Sequence, residues 1–517
     1  MRRITLAGIL VCLASDSFAS GTYYVDGSNP GCSNSGSGTT AQPYCSISAA
    51  VAARGAPGTT ILVQPGVYAE QVTLVASGLP NQNFVLQAPQ GGVVVDGADD
   101  YSDPAAWVQH AGDVWLAAGV TWSPIQVFAD GSRLTASSEA PESLPAGSFH
   151  WEPGAGLYVN AGGGNPADHH AQVGHRAHGI VVNQRTWVTV DGFTVTRTED
   201  SGIDVSGSYL VLTHNSVERA AKSGIDVAGG FGTQLASNTL RDNGEHGIAL
   251  SGGASGCTLE DNEASANASN GIQLDGSYGN TLRRNRLHDN QGTGLQLQSA
   301  SNNCVSDLNR SWNNASRGFS DVASTGTLHV GEVAFGNALN GFWISDNATG
   351  TRIYDSIAAD NGTAAAGIDL QIDATSTPGF ASSDNVFWNA SGQAPVRYAG
   401  ASYPSLAAYQ AASGQDARTL EADPRFVDAA AGDFRLQAGS PAIDSGNSGV
   451  SGWPTSDAAG NARMDDHAIA DTGIGPVTYS DRGALEYMPP GRGRGDDRRV
   501  RRRQRDHGER DRSRRRR

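Results

Sequence analysis

The sequence predicts an all-β solenoid, a single-stranded right-handed parallel β-helix with coils of about 23 residues, on three observations. First, Gly followed by a large apolar residue recurs at Gly202-Ile203, Gly224-Ile225, Gly247-Ile248, Gly271-Ile272, Gly294-Leu295, Gly318-Phe319, Gly341-Phe342 and Gly367-Ile368. Second, Asn215, Asn238, Asn262, Asn285 and Asn309 run in phase with these glycines, and Asn243, Asn267, Asn290, Asn314, Asn337 and Asn361 form another series. Third, within each unit apolar residues alternate with polar ones, which is the period of a strand and not of a helix. One such unit cannot bury its apolar side chains alone, so it stacks on its neighbours, each coil about 4.8 Å above the last. Asn side chains stacked at one corner can bond in ladders.

Glycine supplies 66 of 517 residues, charged residues 17% and aromatics 7%, a mixture unlike that of a helical protein. The net charge of −16 is uneven: residues 490–517 carry +9, which leaves −25 on residues 1–489. So acidic a body does not suit nucleic acid. The one long apolar run, Ile4–Ala14, follows Met1-Arg2-Arg3 and precedes Ser17-Phe18-Ala19. It reads as a signal peptide over 1–19 and is too short to span a bilayer, so the protein is expected to be secreted, extracellular or periplasmic, and monomeric.

Flanking the regular coils (180–400), residues 22–120 read as irregular first coils, 120–175 as inserted hairpins, and 405–487 as a C-terminal cap with a short helix at 405–412. The segment 488–517 is nearly all Arg, Asp and Gly and is expected to be disordered. In an oxidising compartment Cys32 and Cys45 are expected to pair. Cys257 and Cys304 lie in the same phase two coils apart, about 9.6 Å, beyond disulfide reach, and are expected to be free and buried.

In Gly-apolar-x-apolar the residue x points outward. That column reads Asp204, Asp226, Ala249, Gln273, Gln296, Ser320, Trp343 and Asp369. Glu199, Asp200, Asp204, Lys222, Asp226, Glu245 and His246 fall on three consecutive coils beside one face. Carboxylates about 5 Å apart raise one another's pKa unless a cation intervenes, and oxygen ligands of this kind suit Ca²⁺. Lys222 is the only lysine of the chain. At the other end, Gln273, Gln296, Ser320 and Trp343 offer amides and an aromatic face to a sugar chain, with Arg317 placed to pair with a carboxylate. Asp321 stands where an inward apolar residue is expected.

Tyr23-Tyr24-Val25-Asp26, Tyr44-Cys45-Ser46-Ile47 and Val63-Gln64-Pro65-Gly66-Val67-Tyr68 resemble the N-terminal motif of secreted β-helix proteins related to family 9 polysaccharide lyases, the pectate lyases and relatives. Asp423-Pro424-Arg425-Phe426-Val427-Asp428, Asp433-Phe434-Arg435-Leu436 and Gly439-Ser440-Pro441-Ala442-Ile443-Asp444 resemble its closing motif. The resemblance implies a Ca²⁺-dependent lyase that cleaves an acidic, uronate-containing polysaccharide by β-elimination. Glu199, Asp200, Asp204 and Asp226 would hold the metal, Lys222 would be the base and His246 a second proton carrier. In the family's metal motif an acidic pair directly precedes the glycine; in Glu199-Asp200-Ser201-Gly202-Ile203-Asp204 it lies one place earlier. Two other readings stand beside this one: a glycoside hydrolase using paired carboxylates, and a non-catalytic carbohydrate-binding protein in which Gln273, Gln296 and Trp343 hold glycan while the acids are merely solvated.

Overall fold

A computed structural model describes residues 21–489 except 365 and 366. The expected signal peptide and the Arg-rich tail from 490 onward lie outside the described residues. The described residues wind into a right-handed β-helix with three sheets of twelve strands each. Sheet one runs from Thr22–Val25 to Ala381–Ser383, sheet two from Gly66–Tyr68 to Leu420–Glu421, and sheet three from Val72–Thr73 to Ala401–Tyr403. Nearly all neighbours pair in parallel, and each coil visits the sheets in that order, as Val211–Thr213, Ser216–Glu218 and Ile225–Ala228 do.

Both corners flanking sheet two are built alike. A residue in the left-handed region (His214, Ser237, Asp261, Arg284 and Leu308 at one corner, φ between 52° and 58°) bends the chain just before the Asn. That conformation costs a non-glycine residue about 1 kcal/mol. The Asn ladder offsets it. Asn238 Oδ1 accepts from both Asn215 N and Asn215 Nδ2, at 3.0 and 3.1 Å, while Asn238 Nδ2 donates to Asn262 Oδ1 at 3.0 Å and to Leu212 O at 2.9 Å. The second ladder, Asn243 to Asn361, repeats this scheme. The repeat glycine sits where two coils press together: a Cβ on Gly224 would lie 2.7 Å from the Gly247 carbonyl oxygen.

Inside, Ile203/Val205, Ile225/Val227, Ile248/Leu250 and Ile272/Leu274 stack fully buried, and Phe319 lies flat on Phe342 with centroids 5.0 Å apart. Cys32 and Cys45 form a disulfide, and Cys257 and Cys304 are free and buried.

Three features depart from expectation. The first irregular coils end near Asp96, not at 120. The chain leaves the solenoid at Ala98 and returns at Gly174, so Phe84–Gln87 pairs directly with Val188–Asp191. The excursion holds a four-stranded and a five-stranded sheet around its own core of Trp107, Val127, Phe149, Leu157 and Val173. Before it, a helix at Ile47–Arg54 that the strand-like reading missed covers the first coil with Ile47, Ala50 and Val51.

Second, only the helix Leu406–Ser413 closes the far end, through Leu406 and Tyr409. Residues 423–487 are not an end cap. They fold back as a strap along the outer face of sheet two, packing Phe434, Leu436, Ile443 and Leu485 on Trp312, Val333, Ile357 and Val386.

Third, Asp369 is not in the outward column. The longer 26-residue step shifts the register by two, so Gln371 pairs with Trp343, and Asp369 is buried and accepts from Asn361 Nδ2 at 3.0 Å. It terminates the second Asn ladder.

The inward Asp321 has a partner. His329, fully buried, faces Asp321 Oδ2 at 3.3 Å on one side and Glu332 Oε1 at 3.7 Å on the other. Thr351 Oγ1 donates to Asp321, while Ser306 and Asn309 donate to Glu332, which takes the place of an Asn in the first ladder. Burial alone would lower the imidazole's pKa, but the two carboxylates overcome it and push it up to about 9. Because the folded value is raised, the stabilisation is complete below the ordinary histidine value of about 6.5 and is lost as pH rises through about 9. His329→Gln strands two buried carboxylates and is expected to cost about 3–5 kcal/mol at pH 7. Calorimetric melting from pH 6 to 10 checks this: the gap between wild type and variant narrows toward pH 10.

Candidate active site

The outer face of sheet three carries the predicted column in register. Asp204 pairs with Asp226, Asp226 with Ala249, Ala249 with Gln273, Gln273 with Gln296, Gln296 with Ser320, and Ser320 with Trp343. Each acidic residue of the pair is flanked by two fully buried apolar neighbours, Ile203 and Val205 or Ile225 and Val227, which fix its backbone and turn its carboxylate to solvent. A groove of about 590 Å³ lined by Asn183, Thr186, Asp204, Ser206 and Ser208 opens beside it.

The two carboxylates are not equivalent. Burial raises the Asp226 pKa, and the negative charges of Asp204, Asp200 and Glu245 raise it further. Asp204 has a histidine neighbour: His178 Nε2 lies 4.0 Å from Asp204 Oδ2, while His178 Nδ1 bonds the Ser201 carbonyl at 3.0 Å. That carbonyl contact puts the neutral ring's proton on Nδ1 and leaves Nε2 free to accept one. His178 escaped the sequence reading, although the signal was present. One 23-residue step back from Gly202 lands on Gly179, and His178 precedes it as His246 precedes Gly247.

The remaining expected residues divide. Lys222 Nζ donates to Asp200 Oδ2 at 2.8 Å, and this bond, with the nearby acids, raises the ammonium's pKa. Lys222 and Asp200 therefore satisfy each other at the turn, and the lysine is held as a cation. His246 is half-buried, accepts the Asn270 N–H on Nδ1 at 3.2 Å, and has its pKa lowered by burial, so it is a neutral imidazole.

Glu199 does not join the cluster. Its carboxylate is buried and accepts the backbone N–H groups of Ile125 and Gln126, the latter at 3.1 Å. Burial raises its pKa and these donors partly offset the rise. With Gln126 Nε2 on the Thr198 and Arg219 carbonyls, it pins the excursion beside the site. The four expected metal ligands are thus split between three tasks, and among the described residues none of them forms part of a compact three-carboxylate cage.

Farther along the face, Gln273 accepts from Asn270 Nδ2 at 2.8 Å and Gln296 donates to Gln298 at 3.0 Å, so both amides are held in place. Among the described residues Arg317 pairs with no carboxylate. Its guanidinium stacks on Trp343, 4.2 Å from the ring centroid, and the indole N–H donates to Ser345 Oγ at 2.6 Å. Ser320 is buried instead of offered to a ligand. Glu199→Ala is expected to leave the buried Gln126 amide unpaired and to cost about 1–3 kcal/mol. Hydrogen exchange checks it, with protection lost at Ile125 and Gln126 and kept in the solenoid ladders.

No curated protein compared with the chain matches it in sequence. The family model described as "Right handed beta helix region" matches residues 178–335. Among solved structures, XylC in complex with xylose aligns with a TM-score of 0.57 at 14% identity, over 78% of this chain and 87% of that one. Pectate lyase Pel9A aligns with a TM-score of 0.49 at 18% identity, over 90% and 96%. The periplasmic alginate epimerase AlgG aligns at 0.40 and 16%, over 66% and 77%. Among the described residues no helix is long and apolar enough to cross a membrane. By its coil repeat, its sheet topology and the match to the family model, the chain is a right-handed parallel β-helix protein.

Proposed function

We propose that the chain is a secreted carbohydrate-active enzyme that hydrolyses glycosidic bonds with Asp204 and Asp226 as its two catalytic carboxyl groups. The observation that carries this reading is the in-register pairing of the two carboxylates on adjacent strands, with the Asp226 pKa raised by burial and by the neighbouring negative charges. Two carboxylates so close do not ionise together readily, so one holds a proton while the other is charged. Asp226 is then the general acid for the leaving oxygen and Asp204 the nucleophile that forms the glycosyl-enzyme; Asp226, left deprotonated by that step, takes a proton from the water that releases the sugar, which restores both carboxyls. The strand spacing of about 4.8 Å is nearest to the carboxylate separation of about 5 Å in retaining glycosidases, so the product keeps its anomeric configuration.

Gln273 and Gln296 extend the face with amides that suit sugar hydroxyls. XylC, solved with xylose, supports a sugar ligand on a fold of this kind. The charge of −25 on residues 1–489 disfavours a polyanion and favours a neutral glycan.

One observation favours a second reading, β-elimination on an acidic polysaccharide with Ca²⁺. The acids crowding Asp226 are what a bound cation would relieve. Asp204 and Asp226 would hold the ion, which would supply charge neutralisation of a uronate carboxylate. The fixed Lys222–Asp200 pair and the diverted Glu199 weigh against it.

The test is a panel of neutral and uronate polysaccharides, read for reducing ends and for the ultraviolet absorbance of unsaturated sugars. Hydrolysis predicts reducing ends without that absorbance, with kcat falling by about 10²–10⁴ in Asp226→Asn and Asp204→Asn. Lys222→Met should change kcat less than about tenfold, as for an exposed ion pair. Ca²⁺-dependent absorbance abolished by Lys222→Met would replace hydrolysis with the lyase. Glycan binding without product release would leave the carbohydrate-binding reading.

A further inference from the structure

The strap along sheet two holds a second group of carboxylates, remote in sequence from the outward column. One oxygen each of Asp444, Asp465 and Asp471 lies within 4.8 Å of one oxygen of both others. Asp444 is fully buried and is the hub of this region. Its N–H donates to Asp481 at 2.8 Å, its carbonyl accepts Thr472 N at 2.8 Å and Gly473 N at 3.1 Å, and its Oδ2 accepts Asp466 N at 3.2 Å. Asp444 Oδ1 is buried and, among the described residues, accepts nothing. An unpartnered buried carboxylate oxygen is costly, and every other polar group of this residue is satisfied.

The surroundings do not compensate it. Residues 444–487 carry seven carboxylates against two arginines. Arg463 is committed to Glu486 at 2.9 Å, and Arg482 donates to the carbonyls of Ser445 and Asn385. Asp465 meets only His467 Nδ1 at 2.8 Å, and Asp471 accepts Thr478 Oγ1 at 3.1 Å. Among the described residues no lysine or arginine forms an ion pair with any of the three.

We propose that Asp444, Asp465 and Asp471 form a structural Ca²⁺ site that locks the 465–473 loop of the strap onto its buried hub. An all-oxygen donor set with one buried and two more exposed carboxylates suits a hard cation that completes its shell with water. Ca²⁺ accepts irregular geometry and a variable number of carboxylate and water oxygens, whereas Mg²⁺ demands a near-ideal octahedron and gives up its waters reluctantly, so three carboxylates from separate positions of the strap suit the larger ion better.

The test uses the full chain in an Asp204→Asn/Asp226→Asn background, which separates this site from any cation bound at the outward pair. Melting is followed in chelator, in 10 mM MgCl₂ and in 10 mM CaCl₂. Calcium is expected to raise Tm by about 1.5–3 °C, the shift for a site with Kd of about 10⁻⁴–10⁻³ M, and magnesium by less. Adding Asp471→Asn, at an exposed position, should remove the calcium response while leaving Tm in chelator nearly unchanged. A flat Tm in the background variant, or a calcium response that survives Asp471→Asn, overturns the site.

Discussion

The hydrogen-bonded stacking of one coil on the next, at a fixed rise and in fixed register, is the constraint from which the rest of the molecule follows. Two devices hold that register. Each corner Asn receives the backbone and side-chain N–H of the Asn one coil before, and passes its own amide to the next. Each repeat glycine lets the adjoining carbonyl approach within the distance a Cβ would occupy. Once register is fixed, a residue at one phase of the repeat lies directly above its counterpart, so Asp204 and Asp226, 22 positions apart, become cross-strand partners.

The same constraint shows where polar groups can enter the interior. The first ladder runs through Asn309 and then meets Glu332 instead of another Asn, and the added charge is matched by His329, which also faces Asp321. The second ladder ends at Asp369, whose pKa burial drives well above its ordinary range. Both substitutions keep an oxygen where the ladder needs an acceptor. The interior thus admits carboxyl groups where a ladder needs an acceptor, and elsewhere where a partner meets them, as His329 meets Asp321.

Much of this was legible in the sequence because a 23-residue repeat fixes phase, and phase alone decides inward from outward. The solenoid, the free pair Cys257 and Cys304, and the order of the outward column from Asp204 to Trp343 all follow from it. What was not legible lies where phase is lost or where a side chain's aim matters. The excursion at 98–174 has no repeat to mark its start, and the helix Ile47–Arg54 lies outside the periodic region. Glu199 is next to Asp200 in sequence, yet a distant loop captures it through Ile125 and Gln126. Arg317 stacks on Trp343, one coil on, where a carboxylate partner was expected. His178 was available to the repeat but stood one coil before the first glycine counted.

The central claim is that stacking forces two carboxylates together and raises the proton affinity of Asp226. The most direct test is a ¹³C-NMR titration of the Asp226 side-chain carboxyl in wild type and in Asp204→Asn. The account predicts a midpoint above the ordinary aspartate value of about 3.9 in wild type, moving down when the Asp204 charge is removed. An ordinary midpoint that does not respond to Asp204→Asn would contradict it.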